Sequence, residues 1–445
     1  MQLFEMILKI ITAFCSVCLF GMMAYQLYLT VFGFRRETLD YQPHDPESRF
    51  LILVPAHNEE KVIGDIIRNL KEMDYPEEMY DFYIIADNCT DQTADRAREL
   101  GAKVIVTQKE GPDAPTGKPI ALKKALEALG DYPEKYDLVM IFDADNQMDR
   151  NMLREVNSQY LDCGRPDFIQ CYLGAKNKEG LVAWFYYTSY ILTNRFFQLA
   201  KHRRHLNCSL GGTGFSISTA YLKQRGGWTT MSLTEDFEMQ VEATLQGKKI
   251  LWNHNTRIYD EKPTKLRASI RQKLRWGQGH WFVALRNTGK LFGALFSKTI
   301  SFREFLSLFT YMYSLSAYVL TALQLLVSVI WAIHAGGMTL GFSQSPLSIL
   351  SGLALFTYCY FFLFYYADWV DNRIPFRLNT LPRMIVSYVL NIVVGTFNQI
   401  GGLMLHRRQN HWVKTDHSLH GDMEQKPVGG NEKEANAPEV ARKNG

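Results

Sequence analysis

FLILVPAHNEE, residues 50–60, opens with five apolar residues and closes with four polar ones, with Pro55 and Ala56 between. An uninterrupted apolar run has no polar face, so a strand here is buried on both sides, as inner strands of parallel sheets are. Outward from it, the pattern repeats. A helix is expected from about Glu59 to Lys71, then a strand over 81–86 that ends at Asp87. Asp91 is placed to cap a helix reaching Leu100, and residues 103–106 form a third strand. A helix from Pro119 to Leu129 follows, then a fourth strand over 138–142 that ends at Asp143. Apolar runs alternating with amphipathic helices predict an α/β domain, a parallel sheet covered on both faces.

Such sheets bind ligands at the carboxyl ends of their strands. The first strand leads into PAHNEE rather than GxGxxG, so the glycine cradle of dinucleotide folds is missing. No GxxxxGK[ST] occurs, and the pair Gly117-Lys118 alone is a weak signal. Acids stand at the strand ends instead: Asp87 and Asp91, then Asp143 and Asp145. Carboxylates repel phosphates unless a hard divalent cation lies between them. A nucleotide diphosphate held through Mg²⁺ or Mn²⁺ therefore fits this pattern. In IFDADNQM (141–148), Asp143 and Asp145 are two apart on an extended chain and point to one side. DxD alone reads better as a solvated turn; the buried strand before it and the acidic strand end opposite favour a metal.

Two later motifs carry chemistry. LTEDFEMQ (233–240) follows the glycine-rich SLGGTGFSIS (209–218). A carboxylate there suits a general base for an acceptor hydroxyl. It equally suits an acidic helix start, Thr234 capping and Glu235 and Asp236 favoured by the dipole. In RQKLRWGQGHW (271–281), Gln272, Arg275 and Trp276 share one helix face. That face offers an amide, a phosphate-matching fork and a flat ring. The rival reading is a helix lying at the lipid headgroups. Gly277 and Gly279 weaken a purely structural helix and tilt the reading towards function. The aromatic run 181–199 suits a packed core or membrane docking better than a ligand site, and His57, His202 and His205 are given no role.

Composition frames these motifs. The 445 residues are 47% hydrophobic with a formal charge of +4, too balanced for nucleic-acid binding. Seven cysteines show no metal spacing, and Cys15 and Cys18 lie within an apolar run, which suits free thiols in a reducing compartment. Four segments, 6–33, 306–334, 346–368 and 384–405, are long enough to span a bilayer. Glycines and amides at 395, 398, 399, 401 and 402 also fit a re-entrant or tilted element for the last. Arg35, Arg36, Arg373, Arg377 and Arg383 place the polar region in the cytoplasm of a multi-pass plasma-membrane protein. The expected division is an anchor and linker (1–45), a cytoplasmic domain with interfacial helices (46–286), a membrane region (287–410) and a largely disordered tail (411–445).

PAHNEE, IIADNCTD, Asp143-Ala-Asp145, TED at 234–236 and QKLRW at 272–276, in this order, resemble the family 2 glycosyltransferases. The likeness is to their membrane-bound processive branch, with cellulose, hyaluronan and poly-N-acetylglucosamine synthases, and covers Leu51 to Trp281. It implies a GT-A nucleotide-diphospho-sugar transferase domain flanked by transmembrane helices. It further implies a UDP-sugar donor, Mg²⁺ or Mn²⁺, and inversion at the anomeric carbon. Asp87 would contact the uridine side, where many relatives carry two adjacent acids and this chain has Ala86-Asp87. Asp143 would meet the diphosphate and, with Asp145, the metal. Asp236, beside Glu235, would be the base. Gln272, Arg275 and Trp276 would hold the pyrophosphate and the acceptor end. Pro55, Glu59, Lys118, Gly212 and Thr213 complete the expected substrate-binding set, and Trp412 loosely matches a tail motif. The implied acceptor is a growing polysaccharide or a lipid-linked one, with an accessory membrane subunit as a further partner. The rivals are transfer of one sugar to a lipid carrier and a catalytically dead scaffold.

Overall fold

The computed structural model describes residues 2–36, 39–111, 114–334 and 360–409. Strand β1, Phe50–Ala56, is the hub. It pairs in parallel with β2 (Tyr80–Asp87) and β4 (Leu138–Ile141), and β2 pairs in parallel with β3 (Lys103–Thr107). Successive side chains of β1 face opposite ways. Phe50, Ile52 and Val54 pack with Ile63, Ile66, Ile67 and Leu70 of helix α2, Ile63–Lys71. Leu51 and Leu53 pack with Ala121, Leu122 and Ala125 of α3, Lys118–Ala128. Pro55 lies within the strand. β4 has left β1 after Leu53, so the missing N–H falls where β1 has only one neighbour, as on a sheet edge.

The sheet is larger and more mixed than the sequence pattern predicts. It has eight strands in the order β3-β2-β1-β4-β7-β6-β8-β5. β7 (Phe215–Ser218) is antiparallel to both β4 and β6 (Phe168–Ala175), and β8 (Ile250–Asp260) runs parallel to β6. The two-residue β5, Gln147–Met148, returns antiparallel to β8. Only the first half of the sheet is the expected parallel array.

Among the described residues, two helices, Leu3–Gly33 and Leu378–Leu405, are long and apolar enough to cross a membrane. The expected span 306–334 is built from two helices, Phe302–Met312 and Ser316–His334, bent by 61° at the break, and together they are long and apolar enough to count as one broken span. Side chains bond to carbonyls at this break, one of the causes of a kink. His280 reaches Met312 O at 2.9 Å, Ser314 Oγ donates to Tyr311 O at 2.8 Å, and Ser316 Oγ to Tyr313 O at 2.6 Å. Of the expected span 346–368, residues 346–359 lie outside the described residues, as does Trp412; 360–372 is helical.

The last segment is one unbroken helix, Leu381–Leu405, not a re-entrant break. Its glycines serve close packing. A Cβ on Gly402 would stand 2.8 Å from the Gly277 carbonyl carbon, and one on Gly395 2.7 Å from the Tyr318 ring. The helix 360–372 is keyed to the sheet by buried charges. Asp371 pairs with Arg195 and with His254 at 3.2 Å, while Arg257 donates to the Asp371 carbonyl at 2.7 Å.

Candidate active site

A cavity of about 980 Å³ opens at the carboxyl ends of β1, β2 and β4 and continues to the apolar helices. All the site residues expected from the sequence line it: Pro55, Glu59, Asp87, Lys118, Asp143, Asp145, Gly212, Thr213, Glu235, Asp236, Gln272, Arg275 and Trp276. Asp91 does not. Its carboxylate accepts from Glu60 N and Thr93 N and so ties the turn after β1 to the turn after β2.

At the floor, each acid is oriented by the chain. Asp87 is buried, and its Oδ1 accepts from Thr107 Oγ1 and Asn88 Nδ2, both at 2.8 Å. Asp145 accepts from Glu261 N at 3.0 Å and Asn146 Nδ2 at 3.2 Å. Lys118, the first residue of α3, donates to Asp143 Oδ1 and to Gly212 O, both at 2.5 Å. It joins the end of the fourth strand to the glycine loop. Gly212 has φ +78°, a conformation that favours glycine, and a Cβ there would lie 3.3 Å from Asp236 Oδ2. The loop therefore passes directly beside that carboxylate.

Glu235 and Asp236 begin the helix Glu235–Leu245. Burial raises the pKa of both. Glu235 is pushed up to about 7, first by burial and then by the neighbouring Asp236 charge. Asp236 is raised by burial, partly offset by Lys118 and Arg275. Both readings of TED meet in one place, a helix start whose acids face the cavity, but Thr234 stands at the N-cap position without the expected side-chain capping bond.

Asp143 and Asp145 present hard carboxylate oxygens of the kind a divalent cation takes. Among the described residues, no group of three or more His, Cys, Asp or Glu could hold a metal ion. The donor set fits a cation that draws its remaining ligands from a bound diphosphate.

The long helix Leu266–Phe296 carries Gln272, Arg275 and Trp276 along the cavity wall. Tyr186 donates its hydroxyl to Gln272 Oε1 at 2.9 Å and meets the Trp276 ring edge-on at 6.2 Å between centroids. Gly277 and Gly279 fit neither a loosened helix nor a ligand contact. A Cβ on Gly279 would lie 2.6 Å from Thr234 Oγ1, and one on Gly277 3.2 Å from Asn398 O. They let this helix touch the TED loop and Leu381–Leu405 at once.

The aromatic run divides between core and cavity. Trp184, Tyr187 and Ile191 of the helix Gly180–Thr193 join the core, as expected, but Phe185 and Tyr190 line the cavity. His57, given no role, also lines it and bonds the Asp87 carbonyl through Nδ1 at 2.7 Å. Lys273, Tyr318, Asn391 and Gln399 were likewise missed. The spacing 391, 395, 399 on an apolar helix was the available signal, since residues four apart share a face.

Residues 46–279, just over half of the chain, match the family model described as Glycosyltransferase like family 2. The chain belongs to this family. The transferase is 24% identical over 345 residues to a probable glycosyltransferase, YdaM, of Bacillus subtilis (strain 168), covering 74% of this chain and 79% of that one. It is 28% identical over 240 residues to a beta-monoglucosyldiacylglycerol synthase of Synechocystis sp., covering 53% of this chain and 48% of the relative. The transferase thus spans about half the length of that relative. Among solved structures it resembles the mannosyltransferase PcManGT of Pyrobaculum calidifontis, in complex with GDP-Man and Mn²⁺. The TM-score is 0.56 at 16% identity, covering 86% of this chain and 99% of that one. The fold is GT-A, as the motifs implied.

Proposed function

We propose that the transferase moves a sugar from a UDP-sugar to a growing polysaccharide at the cytoplasmic membrane face, with inversion and with export of the product. The observation that carries this reading is the continuity of the cavity from the acid-lined strand ends to the apolar helices. Asp87 holds the uridine side, and Asp143 and Asp145 hold Mg²⁺ or Mn²⁺. The cation, when bound, neutralises the diphosphate as charge builds on the leaving group. Arg275 adds its guanidinium to that charge. Asp236 takes the proton of the acceptor hydroxyl, and burial strengthens it as a base by raising its pKa. Trp276, Phe185 and Tyr318 offer flat rings, and Gln272, Asn391 and Gln399 offer amides; stacked rings and amides suit a chain of sugars. Arg35, Arg36, Arg373, Arg377 and Arg383 support a cytoplasmic side for the transferase domain.

Purified protein in nanodiscs with Mg²⁺ or Mn²⁺ is to be screened with UDP-glucose, UDP-N-acetylglucosamine, UDP-galactose and UDP-glucuronate. UDP release and product size are the readouts. A ladder of lengths from one donor, abolished by Asp236→Asn, is expected. A single lipid-soluble product would replace the polysaccharide by the second reading, one sugar to a membrane lipid. The name of the Synechocystis relative favours that alternative.

A further inference from the structure

We propose that Lys273 forms an oxyanion-binding subsite at the membrane-side end of the cavity, so that the acceptor is recognised by a phosphate or a carboxylate it carries. The inference rests on reading that end as the acceptor side. It begins from a contrast among the lysines around the cavity. Lys118 is paired with Asp143 at 2.5 Å, and Lys262, behind Tyr190, with Asp260 at 2.5 Å. Lys273 has no ion pair among the described residues. Its Nζ touches Asn391 Oδ1 and stands 4.3 Å from the Phe185 ring centre and 5.0 Å from that of Tyr186. An amide oxygen and two ring faces solvate an ammonium partially and leave its charge unbalanced. Burial alone accounts for the lowered pKa of about 8, which still leaves the group cationic at neutral pH.

The neighbours are arranged for an anion rather than against one. Asn391 spends its oxygen on Lys273 and directs its Nδ2 to the Tyr318 hydroxyl oxygen at 3.3 Å. The phenol proton is then directed elsewhere, and Tyr318 also lines the cavity. An ammonium and a hydroxyl held across one amide make a two-donor site, one charged, for a single oxyanion. Among the described residues, those that line the cavity from the apolar helices, Ser314, Leu315, Tyr318, Asn391, Gly395 and Gln399, include no acid to repel it. Two sources offer this chemistry: the phosphate of a lipid-linked acceptor and the carboxylate of an acidic sugar.

The test uses the full chain in phosphatidylcholine nanodiscs without any donor. Binding of farnesyl phosphate is compared with farnesol, and trigalacturonate with its methyl ester. One charged probe is expected to bind at least tenfold more tightly than its neutral twin. Lys273→Gln should remove that gap, and Lys273→Arg should restore it, which separates lost recognition from lost folding. A gap for farnesyl phosphate identifies a lipid phosphate; a gap for trigalacturonate identifies a saccharide carboxylate. Equal binding of both twins, failure of both charged probes to bind, or a gap that survives Lys273→Gln overturns the inference. Because no donor is present, these outcomes stand apart from success or failure of the donor screen.

Discussion

The two ends of the cavity are built on opposite plans. At the strand ends each acid is already bonded by the chain: Asp87 by Thr107 and Asn88, Asp143 by Lys118, Asp145 by Glu261 and Asn146. At the membrane-side end the contacts are rings and amides, and Lys273 has no carboxylate against it. Groups fixed before a ligand arrives need no reorganisation when charge develops, which is what chemistry requires. Loosely answered groups suit recognition of a ligand that must also move on. Under the proposed function, reaction belongs to the floor and acceptor handling to the lip, and the predictions below strike one end, the other, or the seam between them.

The largest effect is expected at the floor. Asp236→Asn should lower kcat by roughly 10²–10⁴, the range for loss of a positioned general base. Donor KM should change little. Steady-state UDP release with saturating donor checks this, and a normal kcat would remove Asp236 from the chemistry. Lys118→Met comes next. It leaves Asp143 without its cation and frees the Gly212 loop. A hydrogen bond to a charged group contributes about 1.5–3 kcal/mol, so donor kcat/KM should fall about tenfold to a hundredfold. An equal loss in acceptor KM alone would erase the proposed division of labour.

Gly279→Ala strikes the seam between the two ends. The new methyl would meet Thr234 Oγ1 at 2.6 Å and Thr234 N at 2.8 Å. Overpacking of this kind costs about 1–3 kcal/mol. Thermal unfolding should show the loss, and kcat should fall as the TED loop is pushed from the helix that carries Arg275. Unchanged kcat at lowered stability would mean that the two ends are mechanically independent.

How much of this could be read in advance differs between the same two ends. The floor was legible because buried strands announce themselves as apolar runs, and Asp87 and Asp143 are where those runs stop. The mixed half of the sheet was not. β8 reads ILWNHNTRIYD, yet Asn253 is buried, with its Nδ2 bonded to Tyr41 Oη at 2.9 Å and to Gln159 Oε1 at 3.0 Å. Partners some two hundred and some ninety residues away make a polar strand buriable, and no local pattern records them. The lip failed for a different reason. Phe185 and Trp184 are adjacent in one aromatic run, but one faces the cavity and the other the core, and only tertiary packing decides which. The spacing that marked Gln272, Arg275 and Trp276 said nothing of Lys273 between them.

Protonation gives a smaller test of the floor. Glu235 titrates at an ordinary 4.5 in the unfolded chain and at about 7 in the folded site, because burial and then the Asp236 charge disfavour its ionised form. Between these values the folded state binds more protons than the unfolded one. The stability this contributes is full below 4.5 and is lost as pH rises through about 7. Tm should therefore fall from pH 5 to pH 7.5 more steeply in the wild type than in Glu235→Gln, which cannot titrate there. Parallel Tm profiles would show that Glu235 is ionised throughout, and that the floor is better balanced than its burial suggests.

The smallest effect is expected at the lip, from Tyr186→Phe. The change removes one hydroxyl that donates to Gln272 Oε1 at 2.9 Å and meets Ser269 Oγ at 3.1 Å, and it keeps the ring against Trp276. A neutral hydrogen bond contributes about 0.5–1.5 kcal/mol, and water entering the cavity can replace it at Gln272. Acceptor KM should rise by a few fold, with donor KM and kcat close to wild type, in kinetics that vary each substrate separately. The sign of the comparison lies in that split. If kcat falls instead, Gln272 is fixed for the chemistry in the way Asp143 is, and the lip belongs to the floor.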